Sequence, residues 1–136
     1  MNAKELRIGN IVQSAVKSDM VTSLLHGGYG YFEVSLLMIK DCEFYGDKWA
    51  FAPIPITPNI LDSCGFVKDG FRSYNLSINQ FSEGIKLLCF SGDYLYLKEG
   101  RDIVTIWNKR VMGDFYLHQL QNLVYLLTQK ELNVDL

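Results

Sequence analysis

The chain has 136 residues, 49% hydrophobic and 13% aromatic, with 13 basic against 15 acidic side chains for a formal charge of −2. That is the size of one ordinary domain, apolar enough to offset its ordering entropy, which excludes intrinsic disorder. A near-neutral balance without a basic run argues against general nucleic-acid binding, and the lack of a leader-like segment or of 18 consecutive apolar residues argues for a cytoplasmic protein without a membrane span.

Taken in chain order, Leu6-Arg7-Ile8-Gly9-Asn10-Ile11-Val12 alternates around a Gly-Asn pair and predicts a tight bend feeding a strand near Ile11. Val21 to Leu25 and Tyr31 to Ile39 are β-prone runs separated by His26-Gly27-Gly28-Tyr29-Gly30, which predicts a hairpin. Trp49 to Phe51 predicts another strand. Ala52-Pro53-Ile54-Pro55-Ile56 must be extended at a sheet edge or across the sheet, because proline cannot donate to a central ladder.

Thr57-Pro58 followed by Asn59 to Cys64 and Gly65 predicts a short helix with a threonine cap, proline in the first turn and a glycine stop. Tyr74 to Ile78, Ile85 to Phe90, Tyr94 to Leu97 and Ile103 to Trp107 predict an antiparallel meander. Near the end, Tyr116, Leu120, Leu123, Val124 and Leu127 form one helical stripe, expected to lie on the sheet with Asp114 as cap. His118, Gln121, Asn122 and Tyr125 occupy the neighbouring face, a candidate structural polar network in which Gln121 and Asn122 bond to backbone and His118 stays neutral at pH 7. The alternating tail, Leu132 to Leu136, predicts a short edge strand. The expected fold is thus α+β over residues 1–136 as a single domain: a bent, mainly antiparallel sheet with one short middle helix and one longer C-terminal helix.

Little in the sequence carries chemistry. The loop of His26, Gly27, Gly28, Tyr29 and Gly30 is a candidate anion cradle, but Glu33 stands where GxGxxG requires glycine and no Gly-Lys-Ser/Thr ending follows. Two histidines far apart, and three cysteines (Cys42, Cys64, Cys89) without a CxxC pair, predict no metal, no cofactor and no disulfide framework. Cys64, at a helix C-terminus, is a poor nucleophile. Asp41 and Glu43, read as neighbours on one strand face, are solvated rather than catalytic. The aromatics from Tyr29 to Phe51 have few cations among them, which favours core packing over base stacking.

Three stretches also carry a resemblance: Glu5 to Asn10 (ELRIGN); Pro53 to Thr57 running on to Leu61 and Gly65-Phe66; and His118 to Leu123 (HQLQNL) with Leu127-Thr128 and Glu131-Leu132. Together they resemble a family of short uncharacterised proteins from Bacteroidales genomes, phages and mobile elements, which read LRIGN, PIPLT, GF, VHQLQNLY and LTGEEL. Here Ile56 and Leu117 replace the family's leucine and valine. Gln129 replaces the glycine of LTGEEL, which removes the usual helix stop and predicts a helix running a residue or two further. The resemblance implies a small phage- or element-borne accessory protein and lends no catalytic residue.

The sequence therefore favours a non-enzymatic interaction protein acting on a protein partner, with a homo-oligomer compatible. The alternative is a binder of a small, nucleotide-like anion at the Gly27 to Gly30 loop. Behind both stands an enzyme with a cysteine or carboxylate site that has no sequence signature.

Overall fold

The computed structural model describes residues 2–14, 30–78, 86–91, 94–99, 102–107 and 115–136. The fold is α+β, with two antiparallel sheets of three and five strands and helices that include one in the middle of the chain and one near the C-terminus. The chain divides into two compact units, residues 1–54 with 116–122 and residues 55–115 with 123–136.

In the first unit, β1 (Ile11–Ser14) lies between β2 (Tyr31–Glu33) and β3 (Phe51–Ala52). Val12 faces Phe32 across one ladder and Gln13 faces Ala52 across the other. β3 is an edge strand and stops where Pro53 removes a backbone donor, and the strands form two sheets rather than the expected single bent one. Tyr31–Glu33 pairs with β1, and Val21 to Leu25 lies outside the described residues.

The run read as strand from Tyr31 to Ile39 is strand only as far as Glu33. Leu36–Tyr45 is a ten-residue helix, α1. Ser35 is its N-cap, with the Oγ accepting from Met38 N at 3.3 Å, and Gly46 ends it at φ 54°. Apolar residues occur all round this helix, so no helical period was visible in the sequence. Only the Met38, Ile39 and Cys42 side faces the core, where it joins Leu6, Val12, Val34 and Trp49. Phe32 and Trp49 meet Phe51 edge-to-face with ring centres at 4.8 and 5.2 Å, so these three aromatics are core. Asp41 and Glu43 are exposed on α1, and residues two apart on a helix do not share a face.

In the second unit, α2 (Pro58–Ser63) has the cap, first-turn proline and glycine stop that its sequence predicts. Thr57 Oγ1 accepts from Ile60 N, and Gly65 at φ 84° lets Gly65 N and Phe66 N return to the carbonyls of Asp62 and Leu61. The meander is β4 (Val67–Lys68), β5 (Ser73–Ser77), β6 (Lys86–Ser91), β7 (Tyr94–Glu99) and β8 (Asp102–Trp107), paired in that order. Its central strand buries three consecutive residues, Leu88, Cys89 and Phe90, and Phe90 packs edge-to-face on Phe66 at 5.3 Å.

The last helix, α3, spans Leu117–Thr128, with Gln119 Oε1 reaching back to accept from Tyr116 N at 3.1 Å. Asp114 lies outside the described residues. The buried face is Leu117, His118, Leu120, Gln121, Val124 and Thr128, which shares Leu120 and Val124 with the predicted stripe, while Leu123 is half-buried and Leu127 is 37% exposed. The face is turned because Gln121 and Thr128 find hydrogen bonds that let polar groups enter. Residues 131–136 form no strand; Asp135 N instead donates to Ser63 O.

The helix does not run past Thr128. Thr128 Oγ1 donates to Val124 O at 2.7 Å and accepts from Lys130 N at 3.1 Å, while Gln129 takes φ 62°. A left-handed residue with a Cβ costs about 1–2 kcal/mol, and glycine's extra freedom in the unfolded chain returns roughly half of that. Gln129→Gly should therefore raise stability by about 0.5–1 kcal/mol in urea melts.

Candidate functional site

The polar face of α3 draws together two parts of the chain at least 110 residues apart. Gly9 at φ 94° makes the bend that sequence predicts before β1, and Gly9 N and Asn10 O bond to the backbone of Val34. On this bend Asn10 Oδ1 accepts from Arg7 N at 2.7 Å, which fixes the turn from within. Gln121 then reads the backbone on either side of it, with Oε1 accepting from Ile11 N at 2.8 Å and Nε2 donating to Gly9 O at 3.3 Å.

Asn122 makes three further bonds. Its Oδ1 accepts from Arg7 Nε at 3.0 Å and from Asn10 Nδ2 at 2.8 Å, and its Nδ2 donates to Glu5 O at 2.8 Å. The guanidinium also reaches Gln121 O at 3.4 Å. Leu6 to Asn10 and His118 to Asn122, the two terminal stretches of the resemblance, thus clasp each other. Asn10 is fully buried and Gln121 is 2% exposed, so these amides are occupied by the fold rather than presented to solvent.

His118 is 1% exposed, its ring stacked on Tyr116 at 6.1 Å and its Nε2 3.6 Å from Glu5 Oε2. Burial holds its pKa below the ordinary 6.5, against the Glu5 carboxylate that draws it upward, so the imidazole is neutral at pH 7. Below pH 6.5 the unfolded chain takes up a proton that the folded chain refuses. Stability from this group is complete above 6.5 and falls as pH drops toward the folded pKa, with a slope of at most about 1.4 kcal/mol per pH unit. His118→Gln should flatten the stability profile between pH 7 and 5 in urea melts at fixed salt. Tyr125, grouped with this network in sequence, falls in the second unit and is 37% exposed.

Of the glycine loop, His26, Gly27, Gly28 and Tyr29 lie outside the described residues, and Gly30, at φ 74°, accepts from Ser14 N at 2.9 Å. The three cysteines are buried and form no disulfide, and burial raises each thiol's pKa, that of Cys64 to about 12, the opposite of what a thiolate nucleophile needs. Among the described residues no group of three His, Cys, Asp or Glu could hold a metal ion, and no helix is long and apolar enough to cross a membrane.

Two features escaped the sequence reading. The outer side of α1 leaves Leu36, Leu37, Phe44 and Tyr45 exposed by 56, 69, 82 and 54%, with the rings of Phe44 and Tyr45 edge-to-face at 5.0 Å. Ser35 before ten residues free of glycine and proline was the available signal. In the second unit a cavity of about 390 Å³ lies among Ile56, Thr57 and Pro58 and, from the β4–β5 hairpin, Lys68, Phe71, Arg72 and Tyr74. The Asp69-Gly70 pair was the signal for that hairpin. No protein-family model, curated protein or solved structure matches the chain.

Proposed function

We propose that this protein is a non-enzymatic interaction module that binds a protein partner through the outer face of α1. The observation that carries the reading is the patch itself. Leu36, Leu37 and Phe44 sit within about 100° on the helix, around Lys40, and each is more than half exposed. Single exposed apolar residues are ordinary, but neighbouring ones on one helix face mark an interaction site. Spacings of three or four and seven or eight residues are those by which helices anchor in a partner's groove. Asp41, Glu43 and Asp47 outnumber Lys40 and Lys48 along the helix and its end, which suits a partner with a basic rim.

The clasped stretches resemble those of element-borne accessory proteins, and a cytoplasmic partner of host or phage origin fits that background. The test is capture from host lysate on the immobilised protein, quantified by mass spectrometry. Leu37→Ser with Phe44→Ser should leave stability within about 0.5 kcal/mol, being surface changes, and reduce recovery of the partner at least about tenfold. Equal recovery by the variant and the wild type would reject this face.

A further inference from the structure

The outer side of α1 is complementary to itself. Leu37 and Phe44, both exposed, are seven positions apart and so lie on one helix face about two turns from each other. The midpoint between them falls between Lys40 and Asp41, two exposed residues of opposite charge. Neighbours in sequence on a helix do not face each other, so these charges are not aimed at one another. Leu36 and Tyr45 share the same midpoint and extend the apolar surface at either end.

We propose that the α1 face pairs with the α1 face of a second copy of this chain, the two helices running antiparallel about a two-fold axis at that midpoint. On the reading of α1 as an interaction surface, the second copy is what covers it while the partner is absent. A two-fold axis sets residue i of one copy against residue j of the other and j against i, so each contact is made twice. With the axis between residues 40 and 41, Leu37 of each copy lies opposite Phe44 of the other, and Lys40 lies opposite Asp41. Other arrangements lose this match. A parallel pair would set Lys40 on Lys40, and an antiparallel pair displaced by roughly a turn would set Phe44 against Lys40 and Leu37 against Asp47.

The pairing is weak. A ten-residue helix is about 15 Å long, and the interface it offers belongs to the small class, under about 1,200 Å² in total. The excess of Asp41, Glu43 and Asp47 over Lys40 and Lys48 also makes like faces repel beyond the centre. A partner with a basic rim therefore displaces the second copy, which until then keeps the apolar side from water.

Sedimentation equilibrium of the full chain at moderate salt tests the self-pairing. A reversible dimer is expected, with a Kd below about 300 μM, and Leu37→Ser with Phe44→Ser should abolish it. Lys40→Glu and Asp41→Lys each set like charges at the centre and should each weaken pairing at least about tenfold. An equimolar mixture of these two variants should pair within about threefold of the wild type, because the new acid of one meets the new lysine of the other. Recovery on mixing cannot come from chains that have misfolded. A wild-type chain still monomeric at about 1 mM, a dimer indifferent to the charge variants, or a mixture that stays monomeric would overturn the self-pairing. A monomeric chain that still recovers its partner through α1 would overturn the self-pairing alone. An α1-dependent dimer that recovers no partner would support the self-pairing while the partner reading fails.

Discussion

Asn122→Ala is expected to destabilise the protein by about 2–3 kcal/mol, although the side chain is polar and only half-buried. The change deletes three hydrogen bonds and leaves Arg7 Nε, Asn10 Nδ2 and Glu5 O without that partner. A net hydrogen bond contributes about 1 kcal/mol, a bond to a charged donor more, and a buried donor left unmade carries a further cost. Asn10 is fully buried, so its orphaned amide has little access to water, whereas the guanidinium can recover some hydration. Asn122→Asp separates the components: it keeps an acceptor for Arg7 and Asn10 but has no donor for Glu5 O. It should lose less than Ala in urea melts at neutral pH, since the carboxylate still accepts from Arg7 and Asn10.

Leu120→Ala should cost about 2–5 kcal/mol, because Leu120 has no exposure and its removal leaves a cavity as well as lost transfer energy. Leu127→Ala, at a position 37% exposed, should cost under about 1 kcal/mol. The contrast decides which face of α3 is inside. A stripe counted from apolar residues alone gives the two leucines equal standing. Urea melts that found equal losses would restore that stripe.

The stripe fails at Leu123 and Leu127 while Leu120 and Val124 are buried, and the reason shows what sequence can and cannot carry here. The position of α3 was legible, since its apolar spacing is strong, but its rotation depended on partners far away in the chain. Gln121 enters the buried face because Ile11 N and Gly9 O, both on the bend before β1, satisfy its amide. Thr128 takes the place expected of Leu127 by bonding back to Val124 O. α2 was legible in full, because cap, proline and glycine are adjacent signals that need no tertiary contact. The meander was legible from its turn pairs and short apolar runs. α1 was not. Leu36 to Tyr45 has few polar residues to mark an outer face, so its β-prone start outweighed the cap at Ser35, a residue type that serves turns as readily as helix starts.

The same contrast separates the candidate sites. The amides and histidine of α3 stood out as polar groups in a leucine-rich helix, yet their bonds run to the fold. The apolar side of α1 did not stand out, since exposure is a property of packing and no residue type declares it. Leucines and aromatics left exposed side by side mark that face.

A double-mutant cycle between Arg7 and Asn122 tests most directly that Leu6 to Asn10 and His118 to Asn122 form one structural clasp. Arg7→Met, Asn122→Ala and the double variant would be unfolded in urea at pH 7 and moderate salt, methionine retaining much of the arginine stem. The double variant should lose less than the sum of the single losses by about 1 kcal/mol or more, since both changes delete the same charged hydrogen bond. Losses that add to within about 0.3 kcal/mol would mean that the two residues do not act on each other, and the clasp would have to be abandoned.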